Sequence, residues 1–137
     1  MKQIYAVLDT NVLVSALLSS KPDTATVQVL ETLLDKKFIP LLSEKILDEY
    51  FTVLQRPKLS FPKDMIQKLL NYIKGTGKII TPVPSHKTLP DPTDLPFYEV
   101  YISKNKSFLI TGNLKHFPQE PFIVTPKDFL RILSKTC

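Results

Sequence analysis

Four places in the chain carry side chains from which a reaction centre can be assembled: Asp9, Glu49, Asp94 and the Thr111-Gly112-Asn113 turn. Three carboxylates and an amide that converge would repel one another unless a cation sat among them. With no histidine or thiol in the set the donors are hard oxygens, which suit Mg²⁺ or Mn²⁺. Each residue also has a plainer role open to it. Asp9 can cap a helix, Glu49 can pair in solvent with Lys45, Asp94 can be another cap beside the turn-forming Asp91, and Asn113 can serve a turn.

Other chemistries are excluded by count. The three glycines, Gly75, Gly77 and Gly112, spell neither a dinucleotide fingerprint nor a phosphate-cradling loop. Cys137 is the single cysteine, so there is no intrachain disulfide and no zinc ribbon. His86 and His116 cannot by themselves build a three-histidine zinc site.

Elements that position these residues follow from the apolar pattern. Ile4–Leu8 is a short run without period, as in a strand buried on both faces, and it ends at Asp9-Thr10-Asn11 before a helix over Val12–Leu18. A second helix, capped by Asp23, is predicted through Lys37, and a second strand over Phe38–Leu42, where Pro40 suggests a sheet edge or strand end. Ser43 opens a third helix to about Arg56, with Ile46, Leu47, Tyr50, Phe51, Val53 and Leu54 as its buried stripe. A fourth spans Pro62–Lys74 with Gly75 just past its end, and a strand follows over Lys78–Val83.

Pro82–Pro96 holds five of the chain's twelve prolines and reads as an extended loop. Asp94–Asn105 is then a helix, Ser107–Thr111 a strand, Phe122–Val124 another, and Thr125-Pro126 the start of a last helix. Alternation of this kind means an α/β fold: a three-layer α/β/α sandwich around a mostly parallel sheet of about five strands. The 137 residues, 43% of them hydrophobic, suffice for a single domain over 1–137. In such sheets ligands bind beyond the carboxyl ends of the strands, where Asp9, Thr111 and Asp94 fall.

Eighteen Lys+Arg against thirteen Asp+Glu give +5. That balance favours an anionic partner such as nucleic acid or an acidic protein tail, although an ordinary solvated basic surface explains it too. Arg56 and Arg131 are the only arginines, so bidentate reading of guanine is poorly served and lysine contact with phosphate fits better. No segment approaches the roughly 20 apolar residues of a membrane span. Asp9 and Asn11 interrupt the signal-like run Ile4–Leu18, and a reduced, cytoplasmic setting is the simplest inference.

Five pieces stand out along the chain: Val7-Leu8-Asp9-Thr10-Asn11-Val12-Leu13, Ser43 with Leu47-Asp48-Glu49-Tyr50, and Leu54-Gln55-Arg56-Pro57-Lys58. Asp91-Pro92-Thr93-Asp94-Leu95-Pro96-Phe97 and Phe108-Leu109-Ile110-Thr111-Gly112-Asn113-Leu114-Lys115-His116-Phe117-Pro118 complete the set. In this order they resemble the PIN-domain family, and within it the branch of toxin components of bacterial toxin–antitoxin systems (VapC-like ribonucleases).

The resemblance implies a Rossmann-like sandwich and a metal-dependent endoribonuclease that cleaves single-stranded RNA. The family's acids match Asp9, Glu49 and Asp94, implied as catalytic and as ligands of Mg²⁺ or Mn²⁺, with Asn113 where a fourth acid is common. An amide is a weaker, neutral ligand. A second departure is Tyr101, where a small residue is usual. A cation so held would activate water for in-line attack on phosphorus and offset charge on the leaving oxygen. Thr10, Ser43 and Thr111 are candidate hydrogen-bond donors to phosphate, Arg56 and Lys115 candidate phosphate contacts, and Asn11 a brace for the turn. His116 reads as a packed or surface histidine. A cognate antitoxin and a homodimer are the partners implied besides RNA, with no membrane.

Two other readings compete. A non-catalytic RNA- or protein-binding module of the same fold follows if Asn113 has cost the site its metal. A haloacid-dehalogenase-like phosphatase would also place Asp after a strand, but needs a second Asp where Asn11 stands.

Overall fold

Tyr5–Leu8 forms β1, and Ala6, Val7 and Leu8 are almost wholly buried in it. In the computed structural model, which describes residues 3–136, this strand is the centre of a five-stranded sheet. Thr10–Leu18 (α1) and Ala25–Leu34 (α2) lead to β2 at Ile39–Leu42. Glu44–Leu54 (α3) and Lys63–Thr76 (α4) lead to the two-residue β3, Lys78–Ile79. A long connection and Leu95–Ser103 (α5) cross back to β4 at Ser107–Ile110, and β5, Ile123–Val124, precedes the closing helix Pro126–Thr136 (α6).

The strand order is β3-β2-β1-β4-β5 and every pair is parallel. Tyr5 to Leu8 run in register with Ser107 to Ile110. The chain moves outward from β1 in one direction, then returns to build β4 on its other side. The order therefore reverses between β1 and β4, the crevice where such sheets bind ligands.

Period-two alternation puts helices on both faces. Ser107 Oγ donates to the Tyr101 carbonyl of α5 at 3.2 Å, while the next residue, Phe108, meets the Phe129 ring of α6 edge-on with centroids 5.7 Å apart. Phe129 meets Phe38 in the same way at 5.1 Å. Three layers result, as expected, with the core between them.

Several boundaries differ from the sequence reading. The second helix begins at Ala25 behind Thr24, not behind Asp23, and ends at Leu34. Lys36 then adopts a left-handed φ of 59°, which turns the chain into β2. Pro40 lies in an interior strand. Ile39 N donates to Ile4 O, so the next nitrogen faces away from β1, and β3 pairs only from Leu41 onward; the missing proline donor is not needed.

Helix α4 runs through Gly75 to Thr76, with Gly77 as its cap. A Cβ on Gly77 would come within 2.7 Å of Leu42 Cδ1 and 2.8 Å of two carbonyl oxygens, so close approach to β2 sets that stop. The third strand ends near Ile80, whose N–H makes its last ladder bond to Leu42 O, and not at Val83. Helix α5 covers Leu95–Ser103 rather than Asp94–Asn105. Phe51, placed in the apolar stripe of α3, is half exposed. Cys137 lies outside the described residues.

Candidate metal centre

Asp9 follows β1 directly, and its N–H still bonds across the crevice to Ile110 O at 3.0 Å. It caps α1, its carboxylate accepting from Asn11 N at 3.5 Å, yet the residue is only 3% exposed. From the other wall Thr111 donates its hydroxyl to Asp9 Oδ2 at 2.8 Å, and Asn113 N donates to that same hydroxyl oxygen at 3.0 Å. Burial pushes the Asp9 carboxyl above its ordinary value, and the Thr111 hydrogen bond pulls it partly back. Below it, the Tyr50 hydroxyl of α3 donates to Leu8 O at 2.6 Å and props the end of β1.

Asp94 reaches the same region from the start of α5. A 3₁₀ turn over Pro92–Asp94, capped by Asp91, brings residues three apart onto one side, so Asp91 and Asp94 face together. Asp91 Oδ1 accepts from the N–H and hydroxyl of Thr93, at 3.0 and 2.7 Å, and these bonds hold its carboxyl below the ordinary value. Asp94 is buried, and burial first, then the charges of Asp9 and Asp91, push it up to about 6.

His116 closes the group. A second 3₁₀ turn, Leu114–His116, swings it back so that Nδ1 stands 3.1 Å from Asp94 Oδ2. Among the described residues, a single set of three carboxylate, histidine or cysteine side chains has ligand atoms within 4.8 Å of one another: Asp91, Asp94 and His116.

The residues expected at the site do not all come together. Asp9, Asp94 and Thr111 come together, Asn113 contributing its backbone N–H while it stays exposed. Glu49 is half buried on α3 beside Tyr50, outside the close cluster. Ser43 is buried with its hydroxyl oxygen accepting from Ile46 N as the cap of α3. Arg56 is exposed beyond the far end of α3, about 16 Å of helix away from Ser43. Lys115 is exposed beside His116, and Asn11 braces Asp9 through its backbone N–H.

The sequence pattern makes Asp91 a turn former and His116 a packed or surface histidine, whereas the structure sets both beside Asp94. The signal for Asp91 lies in its i, i+3 spacing to Asp94, which a 3₁₀ turn brings onto one side; His116 has no local signal, since its partner lies 22 residues away.

This donor set fits a divalent cation. Burial first, and then the charges of Asp9 and Asp91, resist ionisation of Asp94, and an imidazole nitrogen is adjacent. Next to Asp9, Thr10 Oγ1 is buried with no hydrogen-bond partner, an orphan that a bound ligand or its water shell would satisfy. No helix among the described residues is long and apolar enough to cross a membrane. No curated protein matches the chain. A family model described as PIN domain matches residues 5–115, and with an all-parallel sheet that carries its acids at the carboxyl edge, the chain belongs to the PIN domain family.

Proposed function

We propose that this protein is a metal-dependent endoribonuclease for single-stranded RNA and the toxin of a toxin–antitoxin pair. PIN domains are generally metal-dependent nucleases. The observation that carries the reading for this chain is the Asp9–Asp94–Asp91–His116 convergence, in which Asp94 is pushed up to about 6 by burial and by two neighbouring carboxylates. Such a cluster is at its most stable with a cation among its charges.

Asp9 and Asp94 would hold Mg²⁺ or Mn²⁺, with Glu49 and Asn113 completing the shell partly through water. When bound, the cation supplies Lewis-acid activation of water and neutralises charge on phosphate oxygen. Thr111 fixes the rotamer of Asp9 by its hydrogen bond, and His116 fixes that of Asp94. Thr10 has an unspent hydroxyl at the same edge to give to a phosphate oxygen, and Lys115 a flexible ammonium. The elements all build on one sheet, in keeping with a single domain. An antitoxin that inserts a basic side chain among these acids would silence the site, and a homodimer is the assembly proposed.

The neutral, exposed Asn113 favours a second reading, a module of this fold that binds RNA without cutting it. End-labelled single-stranded RNA incubated with the protein in Mn²⁺, Mg²⁺ or EDTA, beside Asp94→Ala purified identically, separates the two. Cutting that needs metal and vanishes in the variant supports the nuclease. Equal cutting by both defeats the site assignment, and metal-indifferent RNA binding without cutting favours the module.

A further inference from the structure

The edge of the sheet opposite the carboxylates collects lysine. Lys36 and Lys37 precede β2, Lys78 opens β3, Lys104 and Lys106 stand in the turn before β4, and Lys135 lies in the last turn of α6. In the turns that feed the strands the acids are Asp35 and Glu120, and Glu120 is engaged: its two oxygens accept from Tyr98 and Tyr101 at 2.7 and 3.3 Å. A hollow of about 870 Å³ opens there between Tyr5, Lys104, Lys106, Phe108, Phe122 and Ile132.

Ammonium groups and rings interleave along this edge. Lys104 Nζ lies 4.4 Å from the Tyr5 ring centroid and Lys78 Nζ 5.7 Å from it. Phe122 is 49% exposed and rests edge-on against Phe108, centroids 5.3 Å apart, which leaves a ring face open. Lys36 and Lys106 both sit at left-handed φ, 59° and 61°, where glycine or asparagine is the easy choice. Lysine at two strained corners of one edge points to a demand for charge there.

Lysines that track phosphate, beside rings on which bases stack, are the means by which single strands are held without sequence readout. A duplex needs a helix or ribbon for its groove, and this edge offers turns instead. We infer that this edge is a second contact surface for single-stranded nucleic acid, with phosphates on Lys104 and Lys106 and a base against Phe122. Neither the charge nor the rings of this edge depend on the proposed cleavage. Without a cation the carboxylate edge repels phosphate, so binding measured in EDTA isolates the lysine edge.

The experiment is fluorescence anisotropy of a labelled oligouridylate titrated with the full chain in EDTA over a series of salt concentrations. Lys104→Gln with Lys106→Asn should weaken binding at least about tenfold and flatten the salt dependence by about 1.4 in log–log slope, two phosphate contacts' worth. Lys63→Gln with Lys68→Gln, on α4, removes the same charge and should leave both quantities near wild type. Equal losses from the two pairs, or none from the first, would overturn the inference.

Photocrosslinking of an oligomer bearing 5-iodouridine should mark Tyr5 or Phe122, whereas adducts confined to Leu114–Phe117 would refute the surface. Phe122→Leu keeps the apolar contact with Phe108 and should weaken oligomer binding with unfolding unchanged. Polyglutamate that competes through the lysine pair, with oligomer binding indifferent to Phe122→Leu, would make this an acidic-protein surface and sink the nucleic-acid reading. Failure of RNA cleavage in metal would leave all of these results unaltered.

Discussion

The Thr111 hydroxyl donates a hydrogen bond to Asp9 Oδ2 across 2.8 Å while its oxygen accepts one from the N–H of Asn113 at 3.0 Å. Two strand ends, β1 and β4, are thereby joined by a side chain where the backbone ladder stops, since the last backbone link is Asp9 N to Ile110 O. The bond also favours the ionised carboxylate that burial opposes. A carboxylate buried in this way needs such a donor, because an unpaired charge at 3% exposure would protonate or shift the chain around it.

Thr111→Val keeps the shape and removes the hydroxyl, leaving both Asp9 Oδ2 and Asn113 N without that partner. Unfolding free energy should fall by about 1–3 kcal/mol, the usual cost of orphaning buried polar groups. Thr111→Ser should recover most of it. Urea unfolding in EDTA checks both, and a valine variant as stable as wild type would show that the hydroxyl link carries no stability.

Asp94 runs the other way. Its folded carboxyl is pushed up to about 6 from an ordinary 3.8, so the folded state binds the proton more tightly than the unfolded one. The penalty for ionising it is absent below pH 3.8, grows between 3.8 and about 6, and is complete above. Metal-free Asp94→Asn should therefore be more stable than wild type by about 1–2 kcal/mol at pH 7, less than the full shift because solvent screens part of the charge. The gain should shrink as pH falls toward about 4. Thermal unfolding of the two proteins in EDTA across that range tests it; a variant less stable at pH 7 would mean that His116 outweighs the burial cost.

A divalent cation should reverse that order. Mn²⁺ held by the folded cluster and not by the unfolded chain should raise the wild-type unfolding temperature as its concentration rises and leave Asp94→Asn where it was. Protons compete for the same oxygen, so the increment should decline as pH drops through about 6. Differential scanning fluorimetry with Mn²⁺, Mg²⁺ and EDTA reads this directly, and identical increments in the two proteins would place the cation elsewhere.

Asn113→Asp returns a carboxylate to the end of β4. If that side chain joins the shell, the cation dissociation constant should fall about tenfold, the scale of one added charge-assisted contact at an accessible site. Isothermal titration of both proteins with Mn²⁺ makes the comparison; unchanged affinity would remove position 113 from the metal's reach.

How far this site is visible in the sequence differs residue by residue. Asp9 and Thr111 follow short apolar runs, and period alone marks those as buried parallel strands whose ends face the crevice. Ser43 and Thr125 declare themselves as caps, because capping is local: Ser43 accepts from Ile46 N and Thr125 from Asp128 N. The partnership of His116 with Asp94 is not local. It depends on two 3₁₀ turns that bring together residues 22 apart, and neither turn has an apolar period to announce it. Pro40 misleads for a related reason, since which way its nitrogen faces is decided by the register with β1 and β3.

The two glycines of α4's end provide the sharpest test of that distinction. Gly75 looks like a helix stop but lies inside α4, and a Cβ there meets nothing within 4 Å. Gly75→Ala should stabilise the protein by about 0.5–1 kcal/mol through helix propensity. Gly77 has an ordinary φ of −86°, so no conformational freedom is at stake. Its difficulty is space: the added carbon would lie 2.8 Å from the carbonyl oxygens of Ile73 and Pro40, backbone atoms that cannot swing aside. Gly77→Ala must push α4 away from β2 and should cost about 1–3 kcal/mol, as overpacking does. Opposite signs in paired denaturation curves are expected, and a Gly77→Ala variant as stable as wild type would show that this corner of the sheet yields freely.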